Sequence, residues 1–203
     1  MKHIFHKGNE PNKPTLLLLH GTGGNEWDML PLADRIDAEA NVLSVRGNVL
    51  ENGMPRFFRR LAEGVFDEED LVFRTKQLFE FLDKAAKQHQ FDRENIIAIG
   101  YSNGANIAAS LFFHYERALK GAILHHPMVP RRRIELPDLS ETSIFISAGT
   151  KDPICPPQES EELKTLFENA RAQVELHWER GGHQLTLHEV EAAAQWYRKQ
   201  IGT

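Results

Sequence analysis

Three residues of this 203-residue chain have the types and the order needed for acyl transfer: Ser102, Asp152 and His183. Ser102 is the centre of Gly100-Tyr101-Ser102-Asn103-Gly104, a G-x-S-x-G pattern entered by the apolar run Asn95-Ile96-Ile97-Ala98-Ile99 and left by the small-residue stretch Ala105-Asn106-Ile107-Ala108-Ala109. Strand, tight turn and helix in that order form a nucleophile elbow, which lifts a serine hydroxyl clear of the sheet. A hydroxyl attacks a carbonyl only if a base takes its proton, and that base must be oriented by a third group. Downstream, Asp152 follows a strand-like run, Ser143 to Ala148, in the turn Gly149-Thr150-Lys151-Asp152-Pro153. His183 follows a second run, Glu175 to Glu179, in Gly181-Gly182-His183. The order nucleophile, acid, base, each just past a strand, assigns Ser102 as nucleophile, Asp152 as orienting acid and His183 as base.

The elements that must hold these groups can be read around them. Thr15-Leu16-Leu17-Leu18-Leu19 is apolar without a polar face, as expected of a central strand covered on both sides. It runs into His20-Gly21-Thr22-Gly23-Gly24, which lacks both the P-loop spacing with its Lys and the dinucleotide G-x-G-x-x-G. Beside an elbow, such a loop supplies an oxyanion hole, with the backbone N–H groups of Thr22 and Asn103 as donors. His20 precedes the nucleophile and is read as a brace for the loop.

A strand is expected at Lys2 to Lys7, a helix at Trp27 to Ile36, and a strand at Asn41 to Val45. Arg46 to Glu69 has no clear period and contains Arg56-Phe57-Phe58-Arg59-Arg60; leaving the carboxyl end of a strand, it is expected to roof the site. Arg46, Phe57 and Phe58 are its candidate substrate contacts, against the alternative that the two phenylalanines pack beneath it. Asp67-Glu68-Glu69-Asp70 opens a long helix with one apolar stripe. Helices are also expected at Pro157 to Asn169 and Leu187 to Lys199. His125-His126 ends a strand; adjacent strand residues face opposite ways and no further ligand stands at metal spacing, so no metal is expected. Arg131-Arg132-Arg133 reads as a solvated run, and Cys155 as a packing residue.

Alternating strands and helices predict an α/β chain with a mostly parallel sheet and helices on both faces, folded as one domain. A net charge of −5 argues against nucleic acid as a partner. One cysteine, no apolar signal core and no run of spanning length lead to the expectation of a cytoplasmic protein without membrane insertion.

Leu19-His20-Gly21-Thr22-Gly23-Gly24, the elbow, Gly149 to Pro153 and Gly181-Gly182-His183 together resemble the phospholipase/carboxylesterase family of α/β-hydrolases, which includes acyl-protein thioesterases. Arg46-Gly47-Asn48 and Pro55-Arg56-Phe57-Phe58 look most like small carboxylesterases of Bacillus-type bacteria, some linked to quinone or catechol stress. The resemblance covers nearly the whole chain. It implies a compact α/β-hydrolase fold without a cap domain, cofactor-free hydrolysis of a small-molecule ester, and the same roles for Ser102, Asp152, His183 and Thr22. The thioesterase branch usually has Gln after the nucleophile where this chain has Asn103. A thioesterase or lysophospholipase is the alternative enzyme, and a ligand sensor with little turnover the alternative from another class. Oligomeric state stays open, with a homodimer among the options.

Overall fold

A computed structural model describes residues 1–200. The strands are β1 (His3–His6), β2 (Thr15–Leu19), β3 (Asn41–Val45), β4 (Val49–Glu51), β5 (Met54–Arg56), β6 (Arg60–Ala62), β7 (Val65–Phe66), β8 (Ile96–Tyr101), β9 (Gly121–His125), β10 (Ser143–Gly149) and β11 (Gln173–Glu179). The helices are α1 (Leu30–Asp37), α2 (Glu68–His89), α3 (Asn103–His114), α4 (Pro157–Asn169) and α5 (Leu187–Gln200). Seven strands form one sheet in the order β1-β3-β2-β8-β9-β10-β11. Only β1 runs antiparallel, pairing with β3 at the edge. The five parallel pairings bring the carboxyl ends of β2, β8, β9, β10 and β11 to a common side.

The alternation of side chains along each strand makes two cores. Leu17, Leu19, Leu43, Ala98, Leu124 and Ile146 face α2, α3 and α4, while Leu16, Leu18, Ile97, Ile99, Ile123 and Phe145 face α1 and α5. This is why β2 and β8 read as unbroken apolar runs: both of their faces are covered. Burying one such side chain stabilises the fold by about 1.5–3 kcal/mol.

Asp67 caps α2, its carboxylate accepting the Asp70 N–H at 3.1 Å, and Gln90 ends the helix in the left-handed region. The first helix begins later than the sequence pattern suggests, at Leu30 rather than Trp27. Pro31 has no N–H to give to the carbonyl of Trp27, so it is accommodated only within the first turn. Residues 46 to 69 are not one irregular loop: they hold two β-hairpins, β4–β5 and β6–β7, folded over the carboxyl side of the sheet, and then the start of α2. No helix among the described residues is long and apolar enough to cross a membrane.

Backbone meets backbone closely where α3 passes β2. A Cβ on Gly104 would stand 1.9 Å from the carbonyl oxygen of Leu19, and one on Gly100 would stand 2.6 Å from Cα of Ala105. Gly104→Ala is therefore expected to cost about 3 kcal/mol or more, because backbone rather than a side chain must move. Urea denaturation measures this; a midpoint equal to the parent's would refute the close packing.

Candidate active site

Each group singled out as catalytic in the sequence lies just beyond a parallel strand. Ser102 joins β8 to α3 with φ 51 and ψ −113, a conformation that a non-glycine residue adopts only under constraint from its surroundings. The constraint is visible on both sides: the Ser102 N–H donates to the carbonyl of His125 at 2.9 Å, and its carbonyl accepts the Asn106 N–H at 2.9 Å. Asp152 lies in the turn after β10, and His183 in the loop between β11 and α5. His183 Nε2 is 2.9 Å from Ser102 Oγ, and His183 Nδ1 is 2.8 Å from Asp152 Oδ2. The Tyr101 hydroxyl donates to the His183 carbonyl at 2.8 Å, fixing the loop on which the imidazole stands.

Asp152 is buried, yet its carboxyl is held below the usual range. Burial alone would raise it, but N–H donors outweigh burial: those of Cys155 and Ile154 reach Oδ1 at 2.9 and 2.8 Å, and the His183 ring reaches Oδ2. Arranged this way, the three side chains can move a proton from a hydroxyl to an imidazole that is oriented and electrostatically supported from behind.

The cleft at Ser102 holds about 300 Å³ and is lined by Thr22, Arg56, Arg60, Phe66, Met128 and Ile154 among others. Thr22 and Asn103 both border it. Asn103 is the first residue of α3, so its N–H is one of the donors that a helix leaves unused at its start. The loop carrying Thr22 is closed by Gly24 N–H to Gly21 O at 3.1 Å and tied to the first hairpin by Gly23 N–H to Pro55 O at 2.9 Å. His20 braces this loop as expected: its Nε2 accepts the Gly47 N–H at 3.0 Å, and burial holds its pKa below the usual imidazole value.

All three expected substrate contacts lie elsewhere. Phe57 and Phe58 are 1% and 0% exposed and belong to the core beneath the hairpins, so they form no wall of the cleft. Two adjacent aromatic side chains on an otherwise polar segment gain more by filling the space over α2 and α3 than by facing water. Phe66 supplies the aromatic wall instead, standing edge-on to Phe58 at 5.0 Å. Arg46 turns to the buried carboxylate of Glu26, which also takes Lys2 at 3.0 Å. An unpaired carboxylate there would carry a heavy desolvation cost, and these partners hold Glu26 down to about 2 against burial.

The residues missed in the sequence are polar ones whose partners are distant in the chain. Arg56 is buried at the cleft, donates to Thr22 Oγ1 at 2.7 Å and shares Glu51 with Arg60. His126, set aside as a possible metal ligand, touches the same oxygen of Asp152 as His183 does. Arg131 and Arg132 are not merely solvated, since they pair with Glu68 and with Glu159 and Glu162. Cys155 is buried beside the cleft and its thiol is pushed far up by burial and by Asp152, so it packs as a neutral group. Among the described residues, two groups bring three possible metal ligands together: His126, Asp152 and His183, and, at the surface, His177, Glu179 and His188. The first is tied up by the contacts to Ser102 and Asp152, and the second contains a 2.7 Å Glu179–His188 ion pair.

A parallel sheet that presents an elbow serine, an aspartate and a histidine along its carboxyl edge defines an α/β-hydrolase. The chain belongs to the Dienelactone hydrolase family, whose model matches residues 54–198. It is 61% identical to the Bacillus subtilis (strain 168) protein "Putative hydrolase MhqD" over 201 residues, covering 99% of this chain and all of that one. It is also similar to the crystal structure of the Bacillus cereus carboxylesterase, with a TM-score of 0.97, 72% identity and coverage of 98% of this chain and 94% of that one. A carboxylesterase from Mesorhizobium loti is 30% identical with a TM-score of 0.85, covering 90% of this chain and 87% of that one.

Asn103 ties the elbow to the hairpins, because its Oδ1 accepts the Phe57 N–H at 2.7 Å with both residues buried. Asn103→Ala is expected to cost about 1–3 kcal/mol by stranding that donor. Denaturant unfolding checks this; a loss under about 0.5 kcal/mol would mean that the bond contributes only its ordinary net value or less.

Proposed function

We propose that this protein is a serine carboxylesterase that hydrolyses small carboxylic esters through an acyl-enzyme on Ser102. The observation that carries the reading is the unbroken chain Ser102 Oγ, His183 Nε2, His183 Nδ1, Asp152 Oδ2, with contacts of 2.9 and 2.8 Å. His183 takes the hydroxyl proton as Ser102 attacks the ester carbonyl, and the N–H groups of Thr22 and Asn103 receive the oxyanion. The imidazolium then protonates the departing alcohol. Water enters, gives a proton to His183 as it attacks the acyl carbon, and the imidazolium returns that proton to Ser102 Oγ as the bond to the acid breaks. Asp152 keeps the ring in the tautomer with its lone pair on Nε2 throughout. The similarity to the Bacillus cereus carboxylesterase supports the ester as substrate class.

At a finer level, the four motifs around Thr22, Ser102, Asp152 and His183 support kinship with the phospholipase/carboxylesterase branch. A cytoplasmic location is in keeping with the single, buried cysteine. The cleft is small and partly polar, lined by Arg56 and Arg60 as well as by Phe66, Met128 and Ile154, which favours short acyl groups over a palmitoyl chain.

Hydrolysis of p-nitrophenyl esters of two to sixteen carbons, beside palmitoyl-CoA and lysophosphatidylcholine, tests the reading. Ser102→Ala is expected to lower kcat roughly 10⁶-fold and Asp152→Asn roughly 10⁴-fold with the fold retained. A Ser102 variant keeping a tenth of the activity would refute the nucleophile, and preference for palmitoyl-CoA would refute the substrate class. kcat/KM is expected to rise with pH along one acidic limb as the base loses its proton, and His183→Ala to abolish that limb. Phe66→Ala is expected to lower kcat/KM for butyrate more than for acetate, since only the longer chain reaches the wall; an unchanged ratio would place the acyl group elsewhere.

A further inference from the structure

Behind the acid lies a second histidine whose position the Ser-His-Asp chemistry does not require. His126 is fully buried, follows the last residue of β9, and holds φ 52, in the left-handed region that few non-glycine residues adopt. Its Nδ1 is 3.0 Å from Asp152 Oδ2, the same oxygen that receives His183. Its Nε2 is 2.9 Å from Oε1 of Glu189, in a close contact off the hydrogen-bond axis. Glu189 is itself fully buried in the first turn of α5 and accepts from Thr186 N–H at 2.9 Å, Thr186 Oγ1 at 3.0 Å and Ser147 Oγ at 2.9 Å.

A neutral imidazole fits only one side of this arrangement. With its proton on Nδ1 it would leave a bare Nε2 2.9 Å from Oε1 of Glu189, and with its proton on Nε2 it would turn a lone pair toward Asp152. Both contacts are attractive only if both nitrogens carry hydrogen. Three donors already converge on Glu189, so its carboxyl is stable as the anion, and two buried carboxylates need a buried cation between them.

We propose that His126 is a resident imidazolium, held between Asp152 and Glu189, and that it serves as a positioning residue that fixes the direction and charge of Asp152 and thereby of His183. The inference of its effect on turnover rests on the esterase reading; the protonation of His126 does not. With the positive ring in place, Asp152, His126 and Glu189 together carry one negative charge rather than two. When His183 becomes positive during turnover, the buried group is neutral as a whole. The electrostatics agree: burial would lower His126, but Glu189 and then Asp152 raise it, while against burial His126, with Thr186 and Ser147, holds Glu189 down. The other groups facing the ring are His183 at 5.2 Å between ring centres, Tyr101 at 6.0 Å, neighbouring His125 and the thiol of Cys155, which donates to the His126 carbonyl. Burial keeps His125 neutral, down to about 4, and Cys155 is neutral as well, so the two carboxylates are the only anions of this set.

Two measurements test this. In the parent protein, ¹⁵N-resolved NMR of the histidine rings is expected to show one non-titrating ring with both nitrogens protonated at pH 7, a signal lost in His126→Asn. A His126 ring with one unprotonated nitrogen at that pH would overturn the proposal, whatever the enzyme turns over. His126→Asn keeps a side-chain N–H within reach of Asp152 and tolerates positive φ, but removes the charge. Loss of a positive charge about one ring away from His183 makes the imidazolium of His183 easier to form, so the acidic limb of kcat/KM is expected to move up by about one pH unit. Glu189→Gln, which does not touch Asp152, is expected to move it the same way by letting His126 lose its proton. KM is expected to change less than kcat in both. If both variants keep the parent's circular dichroism and the limb does not move, or moves down, His126 is packing only. Failure of the esterase reading shows instead as activity retained in Ser102→Ala.

Discussion

Four polar contacts beside the cleft converge on one carboxylate, Asp152. Asp152 receives two backbone N–H groups on one oxygen and two imidazoles on the other. A buried anion without such company would be costly by several kcal/mol, so the turn after β10, the loop before α5 and the end of β9 must all arrive with donors aimed at it. Folding at this edge is therefore cooperative by electrostatics as well as by packing. The strand order makes it possible: β9, β10 and β11 are neighbours in register, so His126, Asp152 and His183 leave the sheet side by side.

The hairpins that cover the site are attached by buried polar bonds rather than by an apolar interface alone. Asn103 holds Phe57 N–H, His20 holds Gly47 N–H, and Arg56 bridges from Glu51 to Thr22. Each of these joins the covering segment to the elbow or to the loop that faces it. The two phenylalanines sink between hairpin and sheet, and Phe66 remains beside Ser102. Since neutral hydrogen bonds in water contribute only about 1 kcal/mol each but cost more when one partner is stranded, these bonds select one placement of the hairpins more than they add stability.

This division of labour links the site to the outer layers of the protein. Glu189 belongs to α5 on one face of the sheet, and Asn103 to α3 on the other. The cleft thus senses the seating of both helix layers. The strained backbone at Ser102 and at His126 occurs at the ends of adjacent strands, where surrounding bonds over-determine the chain.

The sequence by itself determined the parallel α/β architecture, the elbow and the identity of Ser102, Asp152 and His183 as neighbours. The reason is that those signals are local: an apolar run of strand length, glycines where backbones must touch, and a reactive residue just past each strand. It also marked the start of the long helix, since Asp67 and its acidic followers act within one turn. Only the tertiary structure decided which face of residues 46 to 66 turns inward, because Arg46, Arg56, Phe57, Phe58 and Phe66 follow no period and their positions depend on Glu26, Glu51, Thr22 and Asn103, far away in the chain. The same holds for His126 and Glu189, which are 63 residues apart and meet only when α5 closes over the end of β9. A buried charge is legible in a sequence only when its partner is near in the chain, and here the partners are brought together by the order of the strands.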